Sequence, residues 1–293
     1  MLNRREFNGL WGALGPFVFV ASSAFETATA VTSNGTAKTV KFRDGTVVGA
    51  LGQGCSWHRD PTAEDEEALR AGLSLGMTLI DTAEAYSYSN RHSEELIGRV
   101  IAGQRDRLFL VSKVLPTHVT GNGVARACDA SLARLGTDHL DLYLLHWRNE
   151  IADLSSVVTS FEDLRAAEKI RAWGVSNFTV SDMEDLFHVP QGDRCATNQV
   201  RYNLGDRSIE DDLLPWCEQH RMPVMAYSPL GGPGASLVRD PTLAQIGAGH
   251  GCSAAAVALA WTIRSGNVIA IPESGSPAHV KENAVALALK IDT

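Results

Sequence analysis

The sequence contains no CxxC pair, and its five cysteines, at 55, 128, 195, 217 and 252, follow no metal-ligand spacing. That odd, unpatterned set argues against a disulfide framework or a structural zinc site, and the thiols read as small buried hydrophobes. Nine histidines are present without an HExxH or comparable spacing, so metal-dependent hydrolysis has no sequence support. A basic stripe is also lacking: 26 Lys and Arg are interspersed among 34 Asp and Glu, for a net charge of -8. Nucleic acid is therefore not an expected partner. With 293 residues, 44% of them hydrophobic and 20% charged, the chain is neither disordered nor fibrous and can bury one substantial core.

Only one long apolar run occurs, GLWGALGPFVFVASSAF, directly behind MLNRREFN and ahead of Ala28-Thr29-Ala30. A positive n-region, an apolar h-region and an A-x-A site in that order read as a signal peptide over residues 1–30. The run is short for a membrane span, and none is expected in the mature chain, residues 31–293. Arg4-Arg5 followed by x-Phe7 resembles the twin-arginine export signal, with Asn3 and Asn8 departing from its usual pattern. A periplasmic location follows from this reading; an uncleaved anchor or a misassigned start, with a cytoplasmic location, is the alternative.

From about residue 38, short apolar runs alternate with amphipathic stretches and no long linker intervenes, which implies one domain. Asp44-Gly45 between alternating residues predicts a β-hairpin. Eight strands are then read at 48–51, 78–81, 108–111, 140–145, 170–175, 197–200, 224–227 and 268–271. Between them, Ser93 is expected to cap a helix with Glu94 and Glu95 in its first turn. Val124, Cys128, Leu132 and Leu135 recur at helical spacing before a Gly136 stop, and Ser276-Pro277 reads as an N-cap with proline at the first helical position. Eight strands alternating with helices over about 250 residues is the arithmetic of an α/β (β/α)8 TIM barrel with an N-terminal β-hairpin. A doubly wound open sheet is the runner-up, but its GxGxxG is missing: GQGCSW fails at the last position.

In a barrel the chemistry stands at the C-terminal ends of the strands. Asp81 ends the second strand with Tyr86 five residues on, the third leads to Lys113, and the fourth leads to His146 and Trp147. A phenol is protonated at neutral pH; a nearby ammonium is expected to lower its pKa, and an aspartate to hold that ammonium in place. His146 can donate to a carbonyl oxygen and fix its orientation. Such a set suits protonation of an oxygen that gains charge as hydride reaches the adjacent carbon. No side chain supplies hydride, so a cofactor must.

These residues resemble the aldo-keto reductase family over about residues 40 to 290, in the segments LIDTAEAY (79–86), LVSKV (110–114), LDLYLLHW (140–147), WGVSNF (173–178), NQVRYN (198–203), AYSPL (226–230) and IPESGSPAHVKEN (271–283). The resemblance implies a catalytic tetrad of Asp81, Tyr86, Lys113 and His146, and reduction of aldehydes or ketones to alcohols with NADP(H) or NAD(H). It further implies that Ser176, Asn177 and Gln199 hold the nicotinamide carboxamide, that Tyr227 stacks on the ring, and that Ser228 and Leu230 lie near the pyrophosphate. Ser274, His279, Glu282 and Asn283 would surround the adenosine end. Glu273 stands where the family commonly has Lys, which weakens the expected preference for a 2'-phosphate. Trp57 and Trp147 are expected at the substrate mouth, a small-molecule carbonyl compound being the partner. The chain stops soon after the last helix, where family members usually continue, so a more open substrate side is expected. A cofactor-binding regulatory subunit without turnover is the alternative function.

Overall fold

The Asp44-Gly45 turn forms as its chemistry requires. Gly45 sits at φ +96, and β1 (Thr39–Lys41) pairs antiparallel with β2 (Val47–Gly49). The computed structural model describes residues 38–57, 59–89, 91–149, 151–232 and 234–291, and the expected signal segment 1–30 lies outside them. The hairpin stacks Phe42 on Phe109, the first residue of a barrel strand, at a centroid distance of 5.5 Å.

Chain order then runs β3 (Gln53–Gly54), α1 (Ala63–Ser74), β4 (Leu79–Asp81), β5 (Ser87–Tyr88), β6 (Arg91–His92), α2 (Ser93–Ile101), β7 (Phe109–Val114), α3 (Gly123–Leu135), β8 (Leu140–Leu145) and α4 (Leu154–Ala166). It continues with β9 (Ile170–Ser176), α5 (Val180–His188), β10 (Asn198–Arg201), α6 (Leu213–Gln219), β11 (Val224–Tyr227), α7 (Pro241–His250), α8 (Ala254–Thr262), β12 (Val268–Ala270) and α9 (Pro277–Ala284). Eight parallel strands lie in the order β3-β4-β7-β8-β9-β10-β11-β12. Bridges Leu51–Ala270 and Gly54–Glu273 join the first to the last, so the fold is a (β/α)8 barrel. Residues β5 and β6 form a small antiparallel flap between Tyr86 and α2.

Two expected positions change. Val48 to Leu51 is not one barrel strand: Val48 and Gly49 belong to the hairpin, Leu51 makes a single bridge to Ala270, and the first barrel strand is Gln53–Gly54. Gly52 explains the shift, because a Cβ there would lie 2.6 Å from Leu79 Cδ2; the bare backbone lets the chain approach β4 while Gly52 N donates to Ala270 O. Ser93 is not a cap either. His92 is the N-cap of α2, and the buried Ser93 hydroxyl pairs with Thr82 Oγ1 at 2.6 Å. Gly136 does end α3 at φ +63, and Pro277 does open α9, although Ser276 makes no side-chain capping bond.

Strand periodicity divides the core. On β8, Leu142 and Leu144 pack inside with Leu51, Leu79, Val111, Met225 and Ile269, whereas Tyr143 and Leu145 pack in a second cluster with α4. Each fully buried Leu contributes about 1.5–3 kcal/mol, so this interior rigidly sets the strand ends above it. Among the described residues no single helix is long and apolar enough to cross a membrane.

Candidate active site

Asp81 ends β4, Tyr86 follows on the next turn, Lys113 stands in β7, which runs three residues beyond its expected end at Val111, and His146 follows β8. The barrel brings all four together. Lys113 Nζ donates to Asp81 Oδ1 at 2.6 Å, to Thr82 O at 2.9 Å and to Tyr86 Oη at 3.4 Å, which uses its three donors. Lys113 is fully buried. Burial works against its charge, yet Asp81 and then Tyr86 outweigh it and hold the ammonium above its ordinary range. For the phenol the balance differs from the sequence expectation: burial is the largest influence and keeps Tyr86 above its ordinary value, against the pull of Lys113. Thus Tyr86 stays protonated at neutral pH.

His146 is buried, and its pKa falls to about 3 because of burial first and the Lys113 charge second. The ring is neutral near pH 7 and can only donate or accept a hydrogen bond. No described residue partners Nδ1. Aromatic neighbours orient the ring instead: Trp147 stacks on it at 3.6 Å with planes 9° apart, and Tyr86 meets it edge-on at 5.6 Å.

The expected cofactor residues form a connected row beside the tetrad. Gln199 Nε2 donates to Asp81 Oδ2 at 2.7 Å, Ser176 Oγ donates to Gln199 O, Asn177 Nδ2 donates to Ser176 Oγ and to His146 O, and Tyr227 Oη donates to Asn177 Oδ1 at 2.9 Å. Asn177 adopts φ +60, a left-handed conformation that Asn tolerates better than most residues. The Gln199 amide nitrogen is directed at Asp81 and, at 3.9 Å, at Met225 Sδ, which leaves Oε1 for another donor.

Tyr86, His146, Trp147, Ser176, Asn177, Gln199, Tyr227, Ser228, Leu230 and Glu273 all line one cavity of about 800 Å³. Glu273 turns its carboxylate onto the Ser56 N–H, 3.1 Å away, and the Ser56 hydroxyl. Other expected residues lie elsewhere. Ser274 bonds to the Ser276 backbone, His279 and Glu282 are exposed on α9, and Asn283 is buried near Val280; none of the four lines this cavity. Trp57 is corrected more sharply: it is buried in the hydrophobic core with Leu69 and Leu73 and forms no part of the mouth, because it is drawn under α1. Sequence reasoning missed Cys55, Ser56 and Arg201 as lining residues. Arg201 was findable: it follows Gln199 by two positions on the same strand, and a period of two puts both on one face.

The geometry combines a buried protonated phenol, a fixed ammonium beside it, a neutral imidazole and a polar row along one wall. Gln199 Oε1, which accepts nothing from the described residues, and the half-buried Tyr227 ring fit the amide and the flat face of a nicotinamide. The sequence profile of the Aldo/keto reductase family matches residues 47–293. The chain belongs to that family. It is 46% identical over 263 residues to the methylglyoxal reductase YeaE of Escherichia coli (strain K12), covering 87% of this chain and 91% of that protein. An aldo-keto reductase of Mycobacterium avium (strain 104) is 34% identical, over 84% of this chain and 82% of the other. Among solved structures, an aldo/keto reductase from Klebsiella pneumoniae in complex with NADP and acetate superposes with a TM-score of 0.82 at 45% identity, covering 88% of this chain and 92% of that one. This aldo-keto reductase is therefore an enzyme that uses a nicotinamide cofactor, and a regulatory subunit without turnover is not favoured.

Proposed function

We propose that this reductase converts the carbonyl group of small aldehydes and ketones to an alcohol, with Tyr86 as general acid. The observation that carries the reading is the Tyr86 hydroxyl 3.4 Å from a buried Lys113 that is itself fixed by Asp81 and Thr82. When bound, the reduced nicotinamide supplies the hydride. Tyr86 Oη donates its proton to the carbonyl oxygen as that oxygen gains charge, and Lys113 Nζ stabilises the phenolate left behind. His146 is neutral, so it orients the carbonyl by a hydrogen bond and does not compete as the acid. Trp147, partly exposed at the mouth, gives the substrate side an aromatic wall. Identity to a methylglyoxal reductase supports 2-oxoaldehydes as the first substrates to try. Tyr86→Phe should lower kcat on methylglyoxal by about 10²- to 10⁴-fold while tryptophan-fluorescence quenching still reports cofactor binding. Near-normal turnover would refute the assignment.

We also propose that residues 1–30 direct export through a twin-arginine-like signal and are removed after Ala30. Support comes from Arg4-Arg5-Glu6-Phe7, the uncharged apolar run and the Ala28-Thr29-Ala30 site. Replacing both arginines with lysine should retain full-length protein in the cytoplasm. An authentic N-terminus at Met1 in a soluble cytoplasmic fraction overturns the idea.

A further inference from the structure

We propose that Arg201 is a cofactor-recognising residue whose guanidinium takes the diphosphate of the dinucleotide, exchanging Asp206 for it. The proposal rests on the reading of the cavity as a nicotinamide site. Arg201 ends β10 on the same face as Gln199, and its register partner on β11 is Tyr227. It therefore follows directly beyond the row that reaches from Asp81 through Gln199, Asn177 and Tyr227. Its Nε meets Asp206 Oδ2 at 3.2 Å, an exposed pair that holds weakly, and no described residue accepts a hydrogen bond from Nη1 or Nη2.

The loop after β11 supplies the second half of the site. Gly232 adopts φ +74, and a Cβ built there would lie 3.2 Å from Arg201 Nη2 and 3.7 Å from Ser228 Oγ. Two polar side chains thus converge on a stretch of bare backbone. Gly231 and Gly234 also have positive φ, so the segment keeps its peptide groups accessible to a ligand at little steric cost.

Charge decides where the phosphates go. Three charged side chains line the cavity: Asp81 is neutralised by Lys113, Glu273 is a carboxylate, and Arg201 is the one cation among the described lining residues. A dinucleotide with its ring between Tyr86, His146 and Tyr227 carries two negative charges a few ångströms further on. Glu273 repels them, whereas the planar fork of Arg201 accepts two oxygens at once.

The test is the dissociation constant of NADH and of NADPH, read by quenching of tryptophan fluorescence, for the wild-type enzyme, Arg201→Gln, Arg201→Lys and Asp206→Asn. Loss of a charged hydrogen-bonded pair should weaken both cofactors about ten- to hundredfold in Arg201→Gln, by the same factor for each. Arg201→Lys, which keeps the charge and loses the fork, should fall between; it carries the test if the glutamine variant does not fold. Asp206→Asn should bind both cofactors about two- to fivefold more tightly, since the competing carboxylate is gone. Constants within twofold of wild type in both Arg201 variants overturn the proposal, as does a loss confined to NADPH, which would put Arg201 on the 2'-phosphate. An unchanged Asp206→Asn overturns the exchange of partners. Absence of quenching by either cofactor in the wild type defeats the underlying cofactor-site reading instead.

Discussion

Burial of His146 predicts a pH dependence of stability whose size follows from the structure. Its pKa falls from 6.5 to about 3, with burial as the larger cause and the Lys113 ammonium as the second. Between those values the unfolded chain binds a proton that the folded chain refuses. Stability from this residue is therefore fully present above pH 6.5 and is lost as pH falls toward about 3, with a limiting slope of about 1.4 kcal/mol per pH unit. Integrating from pH 7.5 to pH 5.0 gives a loss of about 2 kcal/mol. Urea unfolding of wild type and His146→Gln, followed by circular dichroism at both pH values, isolates the contribution, because every other titrating group is common to the two proteins. With a urea m value near 3 kcal/mol/M, the wild-type midpoint should fall by about 0.7 M more than that of the variant. Parallel losses, within about 0.5 kcal/mol, would show that His146 takes up its proton in the folded state and that the neutral imidazole of the proposed mechanism is wrong.

Ser93→Ala removes the bond to Thr82 beneath the Lys113 site and should cost about 1 kcal/mol in stability; a drop in kcat of about two- to fivefold with unchanged cofactor affinity would mark Ser93 as a positioning residue, since about 1 kcal/mol is about fivefold and only part of the bond's loss reaches the site. Unaltered kcat would confine it to structure. Lys113→Met strands the buried Asp81 carboxylate and should lower the unfolding free energy by about 3–5 kcal/mol, while abolishing most turnover; a stable, active variant would contradict the ion pair. Glu273→Lys should shift selectivity toward NADPH by about five- to tenfold, one partly exposed charge contributing about 1 kcal/mol. A wild-type preference for NADPH above about a hundredfold, unmoved by the substitution, would show that Glu273 stays docked on Ser56 and away from the ribose.

Residues whose position depends on one strand end were legible, and those whose position depends on packing between segments were not. Asp81, Lys113 and His146 each stand at or just beyond the C-terminal end of an apolar run, and barrel topology alone collects them at one mouth. Gly45 and Gly136 were legible because a left-handed backbone has a strong local residue preference. Trp57 was not: its distance in sequence from Gly54 is the same whether the indole faces the mouth or slips under α1, and Leu69 and Leu73, more than ten residues away, decide it. Ser93 failed for a related reason. Local rules favour serine as a cap, but a buried Thr82 hydroxyl 2.6 Å away offers the side chain a partner that the backbone would otherwise supply. The first barrel strand was misplaced because Val48 has the right residue type for a strand in either sheet, whereas the close approach at Gly52 is visible only once Leu79 is in place.

The same distinction governs the electrostatics. An ammonium next to a phenol lowers its pKa if the two stand alone, which is all that a sequence can express. In the folded site Asp81 accompanies the ammonium at 2.6 Å, so Tyr86 faces an ion pair and not a bare cation, and the Asp81 charge itself opposes loss of the phenolic proton. Burial adds to that opposition and dominates it. A raised phenol suits the proposed mechanism, in which the proton stays on Tyr86 Oη until the carbonyl oxygen becomes the stronger base. In that mechanism Lys113 would act at the moment of transfer: with Asp81 and Thr82 holding two of its hydrogens, the third is left for Tyr86 Oη, so a forming phenolate would meet an oriented donor. On this argument Asp81 is there to fix the direction of the ammonium more than to tune the acidity of the phenol.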